Sequence, residues 1–345
     1  MAFHQTVQNL LLAGYSFPPS APLAHVPPPA ALQPLIDAVA PVHRAFDQKA
    51  VEHGHRYRSA FWLIYILSAF AVLCAVMPLA LGWDDVGSTS SQYAIVWVIS
   101  EILIISAVAL LYWLGHHQDW QGQWLGARTK AELAWYMPLI APLLREGHAE
   151  DHGNWYAQLF NDGQPIPANE EIDALCRKCS PIVGPTLADL WSAPHFVTEY
   201  AQWTISLLEG QRKYHQRVAA RQHALLHRVH SVNTWLFGLT ALAALAHLFI
   251  HSRLLTLMTT FLPALGASLH GALAQSEAYR LQATSERLSI ELGKTIEPMR
   301  KVLAMPEPAE GATLLRAAVL SAVELIMDEH DDWHMLVRPH HLPLG

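Results

Sequence analysis

The sequence predicts an all-α, polytopic membrane protein with four transmembrane helices arranged as two hairpins and long cytoplasmic helical extensions. Three observations carry this reading. Residues 60–82 and 93–115 are apolar runs long enough to cross about 30 Å of hydrocarbon as helices; the first holds no charged residue and the second only Glu101. A less apolar pair, 234–251 and 254–274, repeats the arrangement. The chain is 52% hydrophobic and 15% charged, against roughly 25% charged in ordinary soluble domains, and the missing charge is missing mainly from these stretches.

Taken in order, residues 1–36 contain FPPSAP and HVPPPA, which favour extended or turn backbone and predict an arm or strap rather than packed helix. From about Leu35 to Arg58 the chain reads as helix feeding directly into the first span, with Pro41 expected to kink or interrupt it early. Trp113, Trp120 and Trp124 cluster at the exit of the second span, where amphipathic rings favour the membrane–water boundary. Helix is expected to continue until Pro138 and Pro142 end it, closing a first unit over 37–145. The segment 146–197 brings Gly, Pro, Asn and Asp in quick succession and predicts short helices joined by turns. A second unit, 198–305, opens on a long helix to about Ser231 and enters the second apolar pair. The marginal length of that pair, its alanines, His247, His270 and Pro263 keep a buried soluble helix pair open as the alternative. Helix resumes over about 275–303, MPEPAEG breaks it, and residues 306–345 hold a last helix near 312–334 and a tail.

A net charge of −7 gives no reason to expect nucleic-acid binding, since no large basic surface is advertised, and three cysteines are too few for a disulfide scaffold. The short LLLAG cluster, followed by prolines, does not read as a signal peptide. Charge also sets direction. The break between the first two spans carries Asp84 and Asp85 but no Lys or Arg, and the second break carries Arg253; all other members of the 22 Lys and Arg fall in 1–59, 116–233 or 274–345. The positive-inside rule therefore places both termini and the middle segment in the cytoplasm.

The two halves echo each other. Trp62 and Trp235 each stand just inside a first span, preceded by HGHRYRSAFW and HRVHSVNTW. Sliding the second spans together by 154 residues (270 − 116) puts His116 on His270 and Glu132 on Glu286, in RTKAEL and ATSERL. The unit helix, membrane hairpin, helix is used twice.

A membrane hairpin followed by a helix carrying Arg128-x-x-Ala131-Glu132, with a degenerate copy at Ala283–Arg287 that includes Glu286, resembles the SLATT group of bacterial two-helix membrane effectors. The closing DDWHMLVRP looks similar too, and the resemblance covers roughly 45–145 and 210–305. It implies an inner-membrane effector of a defence or conflict system, one that oligomerises and opens or disrupts the membrane when a nucleotide second messenger or signalling protein acts on it. Duplication within one chain departs from that pattern and leaves the subunit number open.

Glu101 is the first candidate for function, because a carboxylate near a bilayer centre is costly and usually faces protein or water. It lines a pore or interface, or it is a neutral acid bonded to a neighbouring helix, with the Ser100 and Ser106 hydroxyls as partners. His247 and His270 join it as intramembrane polar residues. Cys176 and Cys179, with His148 and His152 upstream and His195 downstream, match the local ligand spacings of a structural zinc site; a reduced thiol pair without special role is the alternative. Arg217, Arg221, His223, His227, Arg228 and His230 form a basic patch suited to anionic lipid headgroups or a nucleotide, or a solvated juxtamembrane face. No Walker loop, Gly-x-Ser-x-Gly or His-Glu-x-x-His is present, so neither an enzyme nor a cofactor other than zinc is expected. A conducting or membrane-disrupting effector, a non-conducting sensor or scaffold for a cytoplasmic partner, and a membrane-bound enzyme or metal protein remain as competing functions.

Overall fold

A computed structural model describes residues 2–15, 26–83, 91–143, 170–183, 190–306 and 308–336. Among the described residues all regular structure is helical: α1 (Phe3–Leu11), α2 (Gln33–Leu81), α3 (Ser91–His117), α4 (Trp120–Ile140), α5 (Glu170–Val183), α6 (Pro194–His247), α7 (Arg253–Gln275), α8 (Ala278–Leu303) and α9 (Ala312–Leu336). Four helical stretches, within α2, α3, α6 and the run from α7, are long and apolar enough to cross a membrane.

Two expectations for the N-terminal part are corrected. Residues 3–11 form a helix, not an extended strap, because His4, Val7, Leu11 and Leu12 recur at helical spacing and pack against an apolar cluster. The proline-rich residues 16–25 lie outside the described residues. Pro41 does not interrupt α2, which runs unbroken for 49 residues. A proline inside a helix costs about 3 kcal/mol. Burying Leu35, Val39 and Phe46 around it returns about 1.5–3 kcal/mol for each side chain, so continuing the helix is the favoured outcome.

The chain forms two compact units, and each draws on both halves of the sequence. The first holds residues 1–17, 52–123 and 219–282, and so collects both apolar hairpins; the second holds 18–51, 124–218 and 283–345.

In the first unit, α2 and α7 run antiparallel. Gly271 packs beneath the Tyr65 ring at one end, and Gly82 lies against the Arg253 guanidinium at the other. Gly82 has φ +72°, which suits glycine at the turn that ends α2. Phe61, Trp62, Leu225, Val229, Leu269, Ala272 and Leu273 form the core at the Tyr65 end. The apolar window of α3 has no buried residue at all, leaving Ile95, Ile102 and Leu103 exposed.

The second unit has a larger core, built from the start of α2 and parts of α4, α5, α6, α8 and α9. Pro138 lies inside α4, which passes into a 3-10 turn over Ala141–Leu143. The terminal carbonyls are capped from elsewhere in the unit. The Tyr200 hydroxyl donates to Leu139 O, Trp191 Nε1 to Pro142 O at 2.6 Å, and Arg316 Nη2 to Leu143 O at 3.3 Å. A buried helix end needs such donors, because its last C=O groups have no partner within the helix.

Candidate functional site

The polar residues expected inside the spans stand at different levels of their helices. Glu101 is half-buried on α3 and within electrostatic reach of Cys74 on α2. The Ser100 hydroxyl donates instead to Val96 O of its own helix at 2.8 Å. His247 is the last residue of α6 and pairs edge-on with His251, ring centroids 6.2 Å apart. His270 is exposed, 17 residues into α7 (270 − 253) and therefore about 25 Å along the helix from its start. Aromatic residues mark both ends of α3. Trp83 packs on Tyr93 at 5.6 Å, and Trp113 stacks on His117 at 5.1 Å. Tyr93 and Trp113 stand about 30 Å apart along the helix, the thickness of a bilayer's hydrocarbon core.

The basic patch is built, and half of it, Arg221, His227 and Arg228, is occupied by the N-terminal segment. Arg228 donates from Nε to Leu11 O at 2.9 Å and from Nη2 to Ala13 O at 2.8 Å, and lies 5.3 Å over the Tyr15 ring. It thereby satisfies carbonyls at the C-terminal end of α1, where a cation also complements the helix dipole. Arg221 Nη2 donates to Asn9 Oδ1 at 3.1 Å, and the Tyr15 hydroxyl meets His227 Nδ1 at 3.2 Å. His223 Nδ1 meets Gln282 Nε2 at 3.2 Å. His230 is exposed, and Arg217, in the second unit, folds back onto Lys213 O of its own helix. On the α2 side His4 is buried, meets Ser59 Oγ through Nδ1 at 3.2 Å, and lies 5.4 Å from the His55 ring. Burial, with Arg58, His55 and Arg221 alongside, pushes His4 down to about 4. The role of His4, Asn9 and Tyr15 was not read from sequence; the signal available was the apolar stripe on α1.

The Arg-x-x-Ala-Glu motif lies in the second unit. Arg128 bridges Glu132 one turn on and Asp47 of α2 at 3.5 Å. The Glu132 side chain is only 17% exposed, and burial raises its pKa in spite of Arg128 and His43. Glu286 and Arg287 are exposed. The two motif regions make comparable histidine contacts that sequence reading missed. His43 Nδ1 of α2 meets Ala131 O of α4 at 3.1 Å, and His215 Nδ1 of α6 meets Ser285 Oγ of α8 at 3.4 Å. Ala131 and Ser285 are 154 residues apart (285 − 131), the same offset that pairs Glu132 with Glu286. The bends before α4 and α8 also match, since Asp119 (φ 45°) and Glu277 (φ 54°) are the non-glycine residues with positive φ among the described residues. Their offset is 158 (277 − 119), so α4 holds one more helical turn than α8 before the contact, which leaves the same face presented.

Cys176 and Cys179 are both fully buried, one helical turn apart on α5. Burial pushes the Cys176 thiol up to about 12 and raises that of Cys179. His148 and His152 lie outside the described residues and His195 is exposed. Among the described residues no group of three or more His, Cys, Asp or Glu is placed to hold a metal ion.

No protein-family model, curated protein or solved structure matches this chain.

Proposed function

We propose that this chain is a multi-pass inner-membrane effector with four spans and both termini in the cytoplasm, one that assembles with copies of itself and permeabilises or conducts across the membrane when its cytoplasmic helices receive a signal. One observation supports this most: α3, the most peripheral of the apolar helices, buries none of its apolar window yet carries Glu101 near its middle. An acidic group at mid-bilayer costs on the order of 2.5–3.5 kcal/mol when left to lipid, so a neighbouring subunit covering that face lowers the energy. Residues exposed on this face, such as Val98 and Ile105, give the test. Single cysteines there, in place of the native cysteines, are expected to cross-link between copies in native membranes, and the reconstituted protein is expected to release dye from liposomes. Absence of cross-links at every α3 position, with silent liposomes, would remove the reading.

A second reading, a non-conducting membrane-anchored sensor or scaffold, is favoured by the separation of Glu101, His247 and His270, which form no common polar path in one chain. Cross-linked copies that release no dye, with or without cytosolic extract, would support it over the first.

A further inference from the structure

We propose that α1 is a pH-released latch, a helix docked on the histidine- and arginine-lined end of the first unit that undocks when the surroundings acidify. This goes beyond the effector reading and does not depend on it, since the release is read on α1 itself.

The geometry is that of a separable clamp. The apolar side of α1, with Val7, Leu11 and Leu12, packs on the cluster that includes Phe61, Trp62, Ala224 and Leu225. Arg228 takes the carbonyls of Leu11 and Ala13, Arg221 holds Asn9, and Tyr15 meets His227. All of these groups belong to one compact unit. α1 has nine residues, and a helix that short is not stable alone in water. Docking and helix formation are therefore a single step.

His4 makes that step sensitive to protons. It is the buried polar residue of α1. The groups that act on it are His55 and Arg58 from α2 and Arg221 from α6, all cationic or able to become so. Its neutral ring meets Ser59 Oγ. A proton added there puts a positive charge beside the Arg58 and Arg221 guanidinium groups.

The sign follows from the displaced pKa. The docked histidine titrates at about 4 and the free one near 6.5, so docking is at full strength above 6.5 and weakens as pH falls from 6.5 towards 4. Between pH 7.5 and pH 5.0 the docking constant falls about 30-fold.

Hydrogen–deuterium exchange on the full chain in phosphatidylcholine nanodiscs, corrected for the intrinsic pH dependence of exchange, tests this. The amides of residues 3–15 are expected to lose at least tenfold protection between pH 7.5 and pH 5.0 while the amides of α2 keep theirs. His4→Gln is expected to hold α1 equally at both values, and Arg228→Gln to release it at both. Unchanged protection of α1 in the unmodified chain, or an undiminished loss in His4→Gln, overturns the proposal. Where His4→Gln prevents docking altogether, Arg58→Gln carries the test. With that cation gone His4 tolerates a proton, so the loss of protection shrinks; a loss of the same size overturns the latch.

Discussion

Replacing Gly271 with alanine tests the close approach of α2 and α7. A Cβ at Gly271 would stand 3.0 Å from Tyr65 Cδ1 and 3.1 Å from Cζ, and closer still to Cε1. Ordinary carbon contacts begin near 3.5 Å, so the ring has to move by several tenths of an ångström or more. The neighbouring side chains are Leu269, Ala272 and Trp62, all buried, which limits where the ring can go. Overpacking of this kind costs about 1–3 kcal/mol. Thermal unfolding in detergent micelles is the assay, read for Gly271→Ala, Tyr65→Leu and the pair together. Gly271→Ala is expected to lower the midpoint by a few degrees, and Tyr65→Leu to recover much of that loss by removing the obstructing ring, giving a coupling energy of at least about 0.5 kcal/mol. A neutral Gly271→Ala, or two effects that add without coupling, would refute the antiparallel packing of α2 on α7 at this point.

Two further predictions concern the second unit. Tyr200→Phe removes the hydroxyl that donates to Leu139 O in a buried site and should cost about 1–3 kcal/mol, read as a lower denaturation midpoint; an unchanged midpoint would mean that the carbonyl is satisfied without it. Burial raises the pKa of Glu132, so the folded chain holds that proton more tightly than the unfolded one. The resulting stability is greatest below about 4.5 and is lost as pH rises through the raised value. Glu132→Gln should therefore gain on the unmodified protein as pH goes from 4.5 to 7, and stability curves that stay parallel would contradict this.

The apolar helices were legible because their signal is local. α3 is apolar on every side, a pattern that a soluble domain of this size does not leave unburied, and α6 follows its histidine- and arginine-rich stretch straight into its apolar end as one helix of 54 residues. The helix ends near 303 and 312 were equally plain, marked by MPEPAEG. Pro41 misled because its local cost is visible in sequence, whereas the burial of Leu35, Val39 and Phe46 that outweighs it is not. The basic patch was legible as charge but not as a docking surface, since Arg228 and Leu11 are 217 residues apart. The Cys-x2-Cys spacing fits both a metal site and one buried helix face; both cysteines are buried one turn apart on α5, while His148 and His152 lie outside the described residues. His43 and His215 carried no motif at all, and their comparable placement shows only in what each of them touches.

The central claim is a chain with four spans and both ends on one side, and the second apolar pair is where it is most exposed to failure. Single cysteines at Gln5, Trp83 and His251, in a chain whose native cysteines are replaced by alanine, can be labelled in intact cells with a membrane-impermeant maleimide. The account predicts that Trp83→Cys and His251→Cys react from outside, while Gln5→Cys reacts only after the cells are opened. Labelling of Trp83→Cys but not of His251→Cys in intact cells would show that 234–251 and 254–274 do not cross the membrane, and would contradict the account.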